Sequence, residues 1–310
     1  MGLSLGKNDW AGARKYKAQQ NPCARGECMV MTNHSANHSL TSSNELVAES
    51  AATAGSSEPE SSITASSSGR RLLYWWSLFV AGALLLIFGP PAILVSWIAG
   101  RHEWVYPWAL FGGRTWLRLS GMKVHVRGLE SLDQAQTYVF ISNHRSYLDT
   151  ATLFAFLGRR IGLIAKKELL RVPILGYGMG YVNVMAIDRT NRDRALETMG
   201  DATNRLRAGV SFGVFAEGTR AMPGEFLPFK KGAFYMAAQA GVPIVPVAIK
   251  NTDILMGKGT GRARKGTIEM VLLPAVRTTG IKEDVDVQRL ADTVQQAIGR
   301  ELGVTKLAKR

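Results

Sequence analysis

One stretch limits this chain more than any other. From Leu72 to Gly100 it carries no charge, with Arg70-Arg71 before the run and Arg101 after it. A run of that length is a membrane segment, or else a helix buried in a soluble domain. It is not a cleaved signal peptide: the apolar core is too long, it lies far from the start, and no convincing small-residue cleavage site follows. Gly89-Pro90-Pro91 divides it. Leu72 to Phe88 rises about 25 Å as a helix, marginal against a hydrocarbon core of roughly 30 Å. Two membrane readings follow: one kinked spanning helix, or a helical hairpin that enters one leaflet and returns. Aromatic residues from Trp104-Val105-Tyr106-Pro107-Trp108 to Trp116 fit an interfacial belt, or equally a soluble core.

Residues 1–69 are dominated by Ser, Thr, Ala, Asn, Gly and Glu, with too few large apolar residues for a core, so disorder is expected. Met29 and Met31 are candidates for the native start. The only cysteines, Cys23 and Cys28, lie here, as do His34 and His38. A lone Cys-x4-Cys is weak evidence for a metal site and supplies no disulfide framework. The chain carries a net charge of +14, yet the balance up to Arg71 is only about +1. The excess lies downstream and implies a polyanionic partner: nucleic acid, an anionic membrane surface, or a phosphorylated or acidic substrate.

From Lys123 the pattern becomes alternating strands and helices. Strands are expected at Lys123–Val126, Tyr138–Ser142, Ile161–Ala165, Val184–Ile187, Phe212–Ala216, Ile244–Ile249 and Thr267–Leu272. Helices are expected at Tyr147–Leu157, Arg192–Arg207, Gly232–Ala240 and Val285–Leu302. This order describes an α/β domain: a mixed, largely parallel sheet flanked by helices. The organisation read from sequence is a tail (1–69), a membrane-associated helical segment (70–120) and an α/β domain (121–310). Functional residues of such sheets collect in loops at the carboxyl ends of strands.

Several strand ends carry chemistry. Asn143-His144-Arg145-Ser146-Tyr147-Leu148-Asp149 joins a strand to a helix. A histidine can take a proton at neutral pH, and a carboxylate on its other ring nitrogen fixes the tautomer. On a continuous helix, five residues place two side chains about 140° apart. His144 must therefore precede the helix and fold back over its first turn. Ser146-x-x-Asp149 is also close to a capping box, which leaves Asp149 split between capping and catalysis. Phe215-Ala216-Glu217-Gly218-Thr219-Arg220 ends another strand. Gly218 allows a tight turn, Arg220 offers a donor fork suited to phosphate, and Glu217 could hold that arginine. Its alternative is an ordinary turn with a solvated ion pair. Ile187-Asp188-Arg189 and Lys166-Lys167-Glu168 end two more strands. Val242-Pro243-Ile244-Val245-Pro246-Val247 holds two prolines, expected on an edge or sheet-end strand, lining an apolar groove or simply packing in the core.

Four blocks in this order, Asn-His-x-x-x-x-Asp, Ile-Asp-Arg, Phe-x-Glu-Gly-Thr-Arg and Val-Pro-Ile-Val-Pro-Val, resemble the signature of glycerolipid acyltransferases. The nearest likeness is to bacterial 1-acyl-sn-glycerol-3-phosphate acyltransferases, and it covers Leu72 to the end. The resemblance implies acyl transfer from coenzyme A or acyl carrier protein to the 2-hydroxyl of lysophosphatidic acid, giving phosphatidic acid. It implies His144 as general base and Asp149 as its orienting partner. Lys166, Arg189, Glu217, Gly218, Thr219 and Arg220 match segments linked to the glycerol phosphate. Val242, Pro243, Ile244 and Pro246 match the block linked to the acyl chain or to sheet structure. It also implies an N-terminal two-helix element on the membrane, which favours the hairpin. The expected partners are lysophosphatidic acid, the acyl thioester and an anionic membrane, with no nucleic acid, no metal and no cofactor beyond the co-substrate. Because the thioesters are cytosolic, the α/β domain is expected on the cytoplasmic face. The same chemistry on glycerol 3-phosphate, another lysophospholipid or a lyso-aminolipid stays open, as does a non-catalytic lipid-binding module. A serine hydrolase is disfavoured, since neither Ser142 nor Ser146 sits in a Gly-x-Ser-x-Gly elbow.

Overall fold

A computed structural model of the chain describes residues 67–281 and 283–304. The expectations for the tail up to residue 66, with its cysteines, histidines and alternative starts, lie outside the described residues. The uncharged run is one 32-residue helix, α1 (Ser67–Ile98), which begins inside the stretch assigned to the tail. It continues through Pro90 and Pro91. The division expected at Gly89-Pro90-Pro91 therefore does not occur, for two reasons. The prolines remove only two N–H donors, and the carbonyls that lose a partner belong to Leu86 and Ile87 on the exposed side. Gly89 serves packing instead: a Cβ there would lie 2.5 Å from Ile174 Cγ2. The second arm of the helical pair is α2 (Val105–Leu119), reached through a turn at Ala99–Gly100 and a short 3₁₀ helix at His102–Trp104.

Seven strands follow: β1 (Met122–Arg127), β2 (Val139–Ser142), β3 (Ile161–Lys166), β4 (Val184–Ile187), β5 (Ser211–Phe215), β6 (Ile244–Lys250) and β7 (Gly266–Leu272). The helices between and after them are α3 (Tyr147–Phe156), α4 (Leu175–Met179), α5 (Arg192–Arg207), α6 (Gly232–Ala240), α7 (Thr252–Met256) and α8 (Asp284–Glu301). The sheet order is β1-β7-β6-β2-β5-β3-β4, parallel throughout except for the β6–β7 pair.

Both faces of the sheet are covered, so the central strands read as nearly unbroken apolar runs. Alternate residues serve opposite layers. Val139, Ile141, Phe212 and Ile244 pack with Leu206 of α5, Phe234 of α6 and Val294 of α8. Phe140, Val245 and Val247 pack with Leu148 and Leu153 of α3 and Leu117 of α2. Burial of each such side chain contributes roughly 1.5–3 kcal/mol.

The proline-bearing strand is the clearest departure from expectation. β6 lies in the sheet interior, between β2 and β7. Pro243 precedes it and uses only its carbonyl, accepting from Val139 N. Pro246 faces β7 just before the regular ladder begins at Val247↔Leu272, and its carbonyl accepts from Leu273 N. Pro246 therefore meets Leu273 through its carbonyl alone, and the one donor it lacks falls at the end of the β6–β7 pairing rather than within it. Val242 and Ile244 pack into the core below the sheet, so they line no acyl-chain groove.

The interfacial aromatics divide. Tyr106 is buried, its hydroxyl accepting from Ile161 N, and Trp116 Nε1 donates to Ser77 O. Trp104 and Trp108 are exposed.

Candidate active site

The four candidate strand ends are neighbours. β2, β5, β3 and β4 are consecutive and parallel, so the segments after them open on one edge of the sheet.

At the end of β2 the chain is fixed before it reaches His144. The Asn143 side chain donates to Ile249 O and accepts from Ile249 N, each at 2.8 Å, tying β2 to β6. Ser146 is the N-cap of α3 and forms a complete capping box with Asp149. Asp149 is fully buried, and its Oδ2 accepts from Arg145 N at 2.6 Å and Ser146 N at 2.7 Å. The same oxygen lies 3.0 Å from His144 Nδ1. The cap therefore sets the helix start that lets Asp149 reach back to the histidine. Three donors converging on one carboxylate oxygen make Nδ1 the protonated nitrogen and leave Nε2 as the acceptor. The imidazole stacks on Phe215 at 4.1 Å between ring centroids.

Glu217 takes a different part from the one its motif implies. It is fully buried, and its two oxygens accept from His144 N at 2.7 Å and Leu227 N at 3.0 Å. A carboxylate without exposed surface cannot touch a phosphate. It is a main-chain clamp behind the histidine rather than a holder of Arg220. Burial pushes its pKa up to about 7, against the lowering effect of its two main-chain hydrogen bonds and of Arg145. Gly218 has φ +70°, and a Cβ there would fall 2.7 Å from Lys230 Cε, so the turn requires glycine. Arg189, at the end of β4, donates to Gly218 O. The Arg220 guanidinium lies 3.7 Å from the Tyr147 ring centroid, beside the His144 segment. Thr219 is exposed between them.

His144, Asp149, Gly218, Arg189 and Arg220 are thus brought together. Lys166 stands apart: it is exposed and pairs with Glu168 at 3.2 Å. Its neighbour Lys167 reaches across to Asp188 at 2.7 Å and holds that carboxyl well below its ordinary pKa. Among the described residues, no group of three or more His, Cys, Asp or Glu is placed to hold a metal ion.

Sequence reasoning missed Arg145 and Asp253. Both are buried and pair at 3.1 Å. Asp253 Oδ2 also accepts from Gly224 N at 3.3 Å. Ser146 Oγ donates to Met256 O at 2.6 Å, and Lys258 Nζ donates to Arg220 O at 2.6 Å. The α7 segment is therefore bound to the histidine motif. An arginine inside an invertedly polar motif was visible, but its partner lies 108 residues on.

An α/β domain with helices on both faces of its sheet, a carboxylate-held histidine at one strand end and arginines at its neighbours defines the class. Residues 123–250 match the family model described as Acyltransferase. It is 39% identical over 181 residues to 1-acyl-sn-glycerol-3-phosphate acyltransferase alpha of Bos taurus, covering 58% of this chain and 63% of that one. It is 37% identical over 179 residues to the beta enzyme of Homo sapiens, covering 57% and 64%. The chain thus spans less than two thirds of the length of these curated relatives. The crystal structure of the 1-acyl-sn-glycerophosphate (LPA) acyltransferase PlsC from Thermotoga maritima superposes with a TM-score of 0.65 at 25% identity. That match covers 77% of this chain and 97% of that one.

Proposed function

We propose that the protein transfers a fatty acyl group from a thioester donor, acyl-coenzyme A or acyl carrier protein, to the sn-2 hydroxyl of 1-acyl-sn-glycerol 3-phosphate, giving phosphatidic acid. The observation that carries this reading is the 3.0 Å contact of His144 Nδ1 with Asp149 Oδ2, which leaves Nε2 to take the hydroxyl proton. The deprotonated hydroxyl attacks the thioester carbonyl. The thiolate leaves as the tetrahedral intermediate collapses, and the proton on Nε2 passes to it. Asp149 stabilises the imidazolium in between. Arg220 and Arg189 bind the acceptor phosphate, with the Gly218–Thr219 turn between them. Lys166 is exposed and lends charge at the rim rather than a fixed contact.

Membrane attachment through α1 and α2 brings this edge to an acceptor that resides in the bilayer, with the domain on the cytoplasmic face where the thioesters are made. Support comes from the exposed apolar residues of α1, among them Trp75, Phe79, Leu86 and Trp97.

The test is product analysis by mass spectrometry after incubating purified protein in detergent with mixed acyl thioesters and a panel of lyso-lipids. Phosphatidic acid is the expected product. A preference for a lyso-lipid without a phosphomonoester would overturn the choice of acceptor. His144→Ala is expected to lower kcat by about 10²- to 10⁴-fold with folding intact. Unchanged turnover would remove His144 from the mechanism.

A further inference from the structure

Arg220, Lys166 and Arg189, the cations placed above at the acceptor phosphate and its rim, lie on one side of His144, at the ends of β5, β3 and β4. A second group lies on its other side. β6 adjoins β2 opposite β5, and because β7 runs antiparallel to β6 the connection between them returns to the same sheet edge. That connection contains Gly257-Lys258-Gly259-Thr260-Gly261-Arg262-Ala263-Arg264-Lys265-Gly266, with four cations and no acidic residue.

Arg262, Arg264, Thr260 and Ile254, together with Arg70 at the start of α1, line a cleft of about 150 Å³. Among the described residues, Arg262 and Arg264 form no ion pair, whereas Lys167, Lys231 and Lys250 each meet a carboxylate. The backbone of the loop is fixed. Ala263 N donates to Arg70 O at 2.9 Å, Arg264 N to Leu255 O at 2.8 Å, and Thr260 Oγ1 to Gly257 O at 2.9 Å. The arginines are therefore presented on a scaffold ordered without ligand, which lowers the entropy cost of binding. The loop is also joined to the site, through the Ser146↔Gly257 bridge and through Lys258 N to Arg145 O at 3.3 Å.

We infer that this cleft holds a phosphate group on the nucleotide part of coenzyme A, so that the histidine stands between two cationic poles, one for each anionic substrate. The inference rests on the acyl transfer proposed above. Its reasoning is one of charge and size. The acceptor has a single phosphomonoester, which the β5 side accommodates, and Arg262 and Arg264, which meet no carboxylate among the described residues, call for a second anion. A compact cleft of three arginines and a hydroxyl fits one phosphate with its ester surroundings. It does not offer the extended basic face on which an acidic helix of a carrier protein would lie. The long, flexible pantetheine arm allows the nucleotide to bind there while the thioester reaches His144.

The test compares the full chain with its Arg262→Ala/Arg264→Ala double variant. Both side chains are exposed, so folding is preserved. The double variant should raise KM for palmitoyl-coenzyme A about tenfold or more, leaving kcat and KM for lysophosphatidic acid unchanged. Palmitoyl-pantetheine, which lacks the nucleotide, should be used equally by both proteins. The inference is overturned by an unchanged KM for palmitoyl-coenzyme A, or by a rise confined to acyl carrier protein donors. It is equally overturned by a raised KM for lysophosphatidic acid, or by loss of binding to phosphatidylglycerol-containing vesicles as the only effect. Absence of turnover by the wild-type chain on every acceptor would defeat the proposed function alone. Calorimetric titration of coenzyme A into both proteins still decides the cleft: weaker binding to the double variant supports it, and equal binding overturns it.

Discussion

Asp149 Oδ2 serves a helix cap and a histidine with one atom, so its replacement should show in two readouts. Asp149→Asn keeps the shape but turns an amide donor, or a weaker acceptor, toward three existing donors. Turnover should fall by about 10²- to 10⁴-fold, as expected when a general base loses its tautomer. Stability should fall by about 1 kcal/mol from the damaged cap. Thermal melting alongside kcat separates the two effects, and a variant with full kcat would deny Asp149 its orienting role. Glu217 makes a prediction in pH. Its pKa rises from 4.5 to about 7 on folding, so between those values the folded protein binds more protons than the unfolded chain. Stability then falls as pH rises from 4.5 through 7, by up to about 3 kcal/mol for this group. Glu217→Gln cannot ionise and should flatten that dependence. It also leaves His144 N or Leu227 N facing an amide N–H, at a cost of about 1–3 kcal/mol. The variant should therefore be clearly less stable than wild type at pH 5, with the gap narrowing by pH 8. Urea midpoints measured across that range decide it, and a constant gap would contradict the raised pKa.

Between elements, the α1–α4 junction is the tightest untested prediction. Pro173 O accepts from Leu175 N at 2.6 Å around Ile174, whose φ is +64° and ψ −54°. That is a γ-turn of the strained hand, and at a β-branched residue. The turn drives the Ile174 side chain into the space left by Gly89 and walls an apolar hollow lined also by Pro90, Ile93, Leu94, Trp97 and Tyr177. Gly89→Ala should destabilise the protein by about 1–3 kcal/mol through overpacking, despite the better helix propensity of alanine. A raised melting temperature would show that the junction yields freely. The same junction explains what could be read from sequence. Strands such as Val139–Ser142 and Ile244–Lys250 were legible because burial on both faces leaves a short apolar run with no polar alternation. The Ser146–Asp149 cap was legible because its four residues are local. Gly89-Pro90-Pro91 looked like a break because local propensity disfavours helix there, and only Ile174, 85 residues away, makes the glycine useful. Pro246 suggested an edge because no sequence rule tells which neighbour its missing donor faces. Glu217 looked like a ligand for its own arginine because the donors that bury it, on His144 and Leu227, are main-chain groups with no sequence signature.

At the scale of the molecule, the question is how α1 meets a bilayer. One side of the helix stays with the domain along most of its length. Arg70 O accepts from Ala263 N, Ser77 Oγ accepts from Ser120 Oγ at 2.8 Å, and Gly89 meets Ile174. Val80, Ala92 and Ser96 are buried on the same side. The opposite side exposes Leu72, Trp75, Phe79, Leu86, Leu94 and Trp97. A helix crossing the hydrocarbon core would have to leave these domain contacts or carry the domain's polar surface into lipid, where unsatisfied groups cost several kcal/mol each. An orientation along the interface, with the exposed stripe in one leaflet, retains every contact. The two orientations differ in depth. Trp75 and Trp97 are separated by about 33 Å along the axis, close to the roughly 30 Å hydrocarbon thickness. In a spanning helix both would sit near opposite surfaces with Leu86 deep between them. In an interfacial helix all three lie at one depth. The only cysteines are Cys23 and Cys28, so replacing them by serine leaves a background for single nitroxide labels at Trp75→Cys, Leu86→Cys and Trp97→Cys. Electron paramagnetic resonance in vesicles, with oxygen and a water-soluble nickel chelate as collision partners, reads the depth of each label. Equal depths are expected, and a label at position 86 distinctly deeper than both others would establish a spanning helix and require the domain to part from α1.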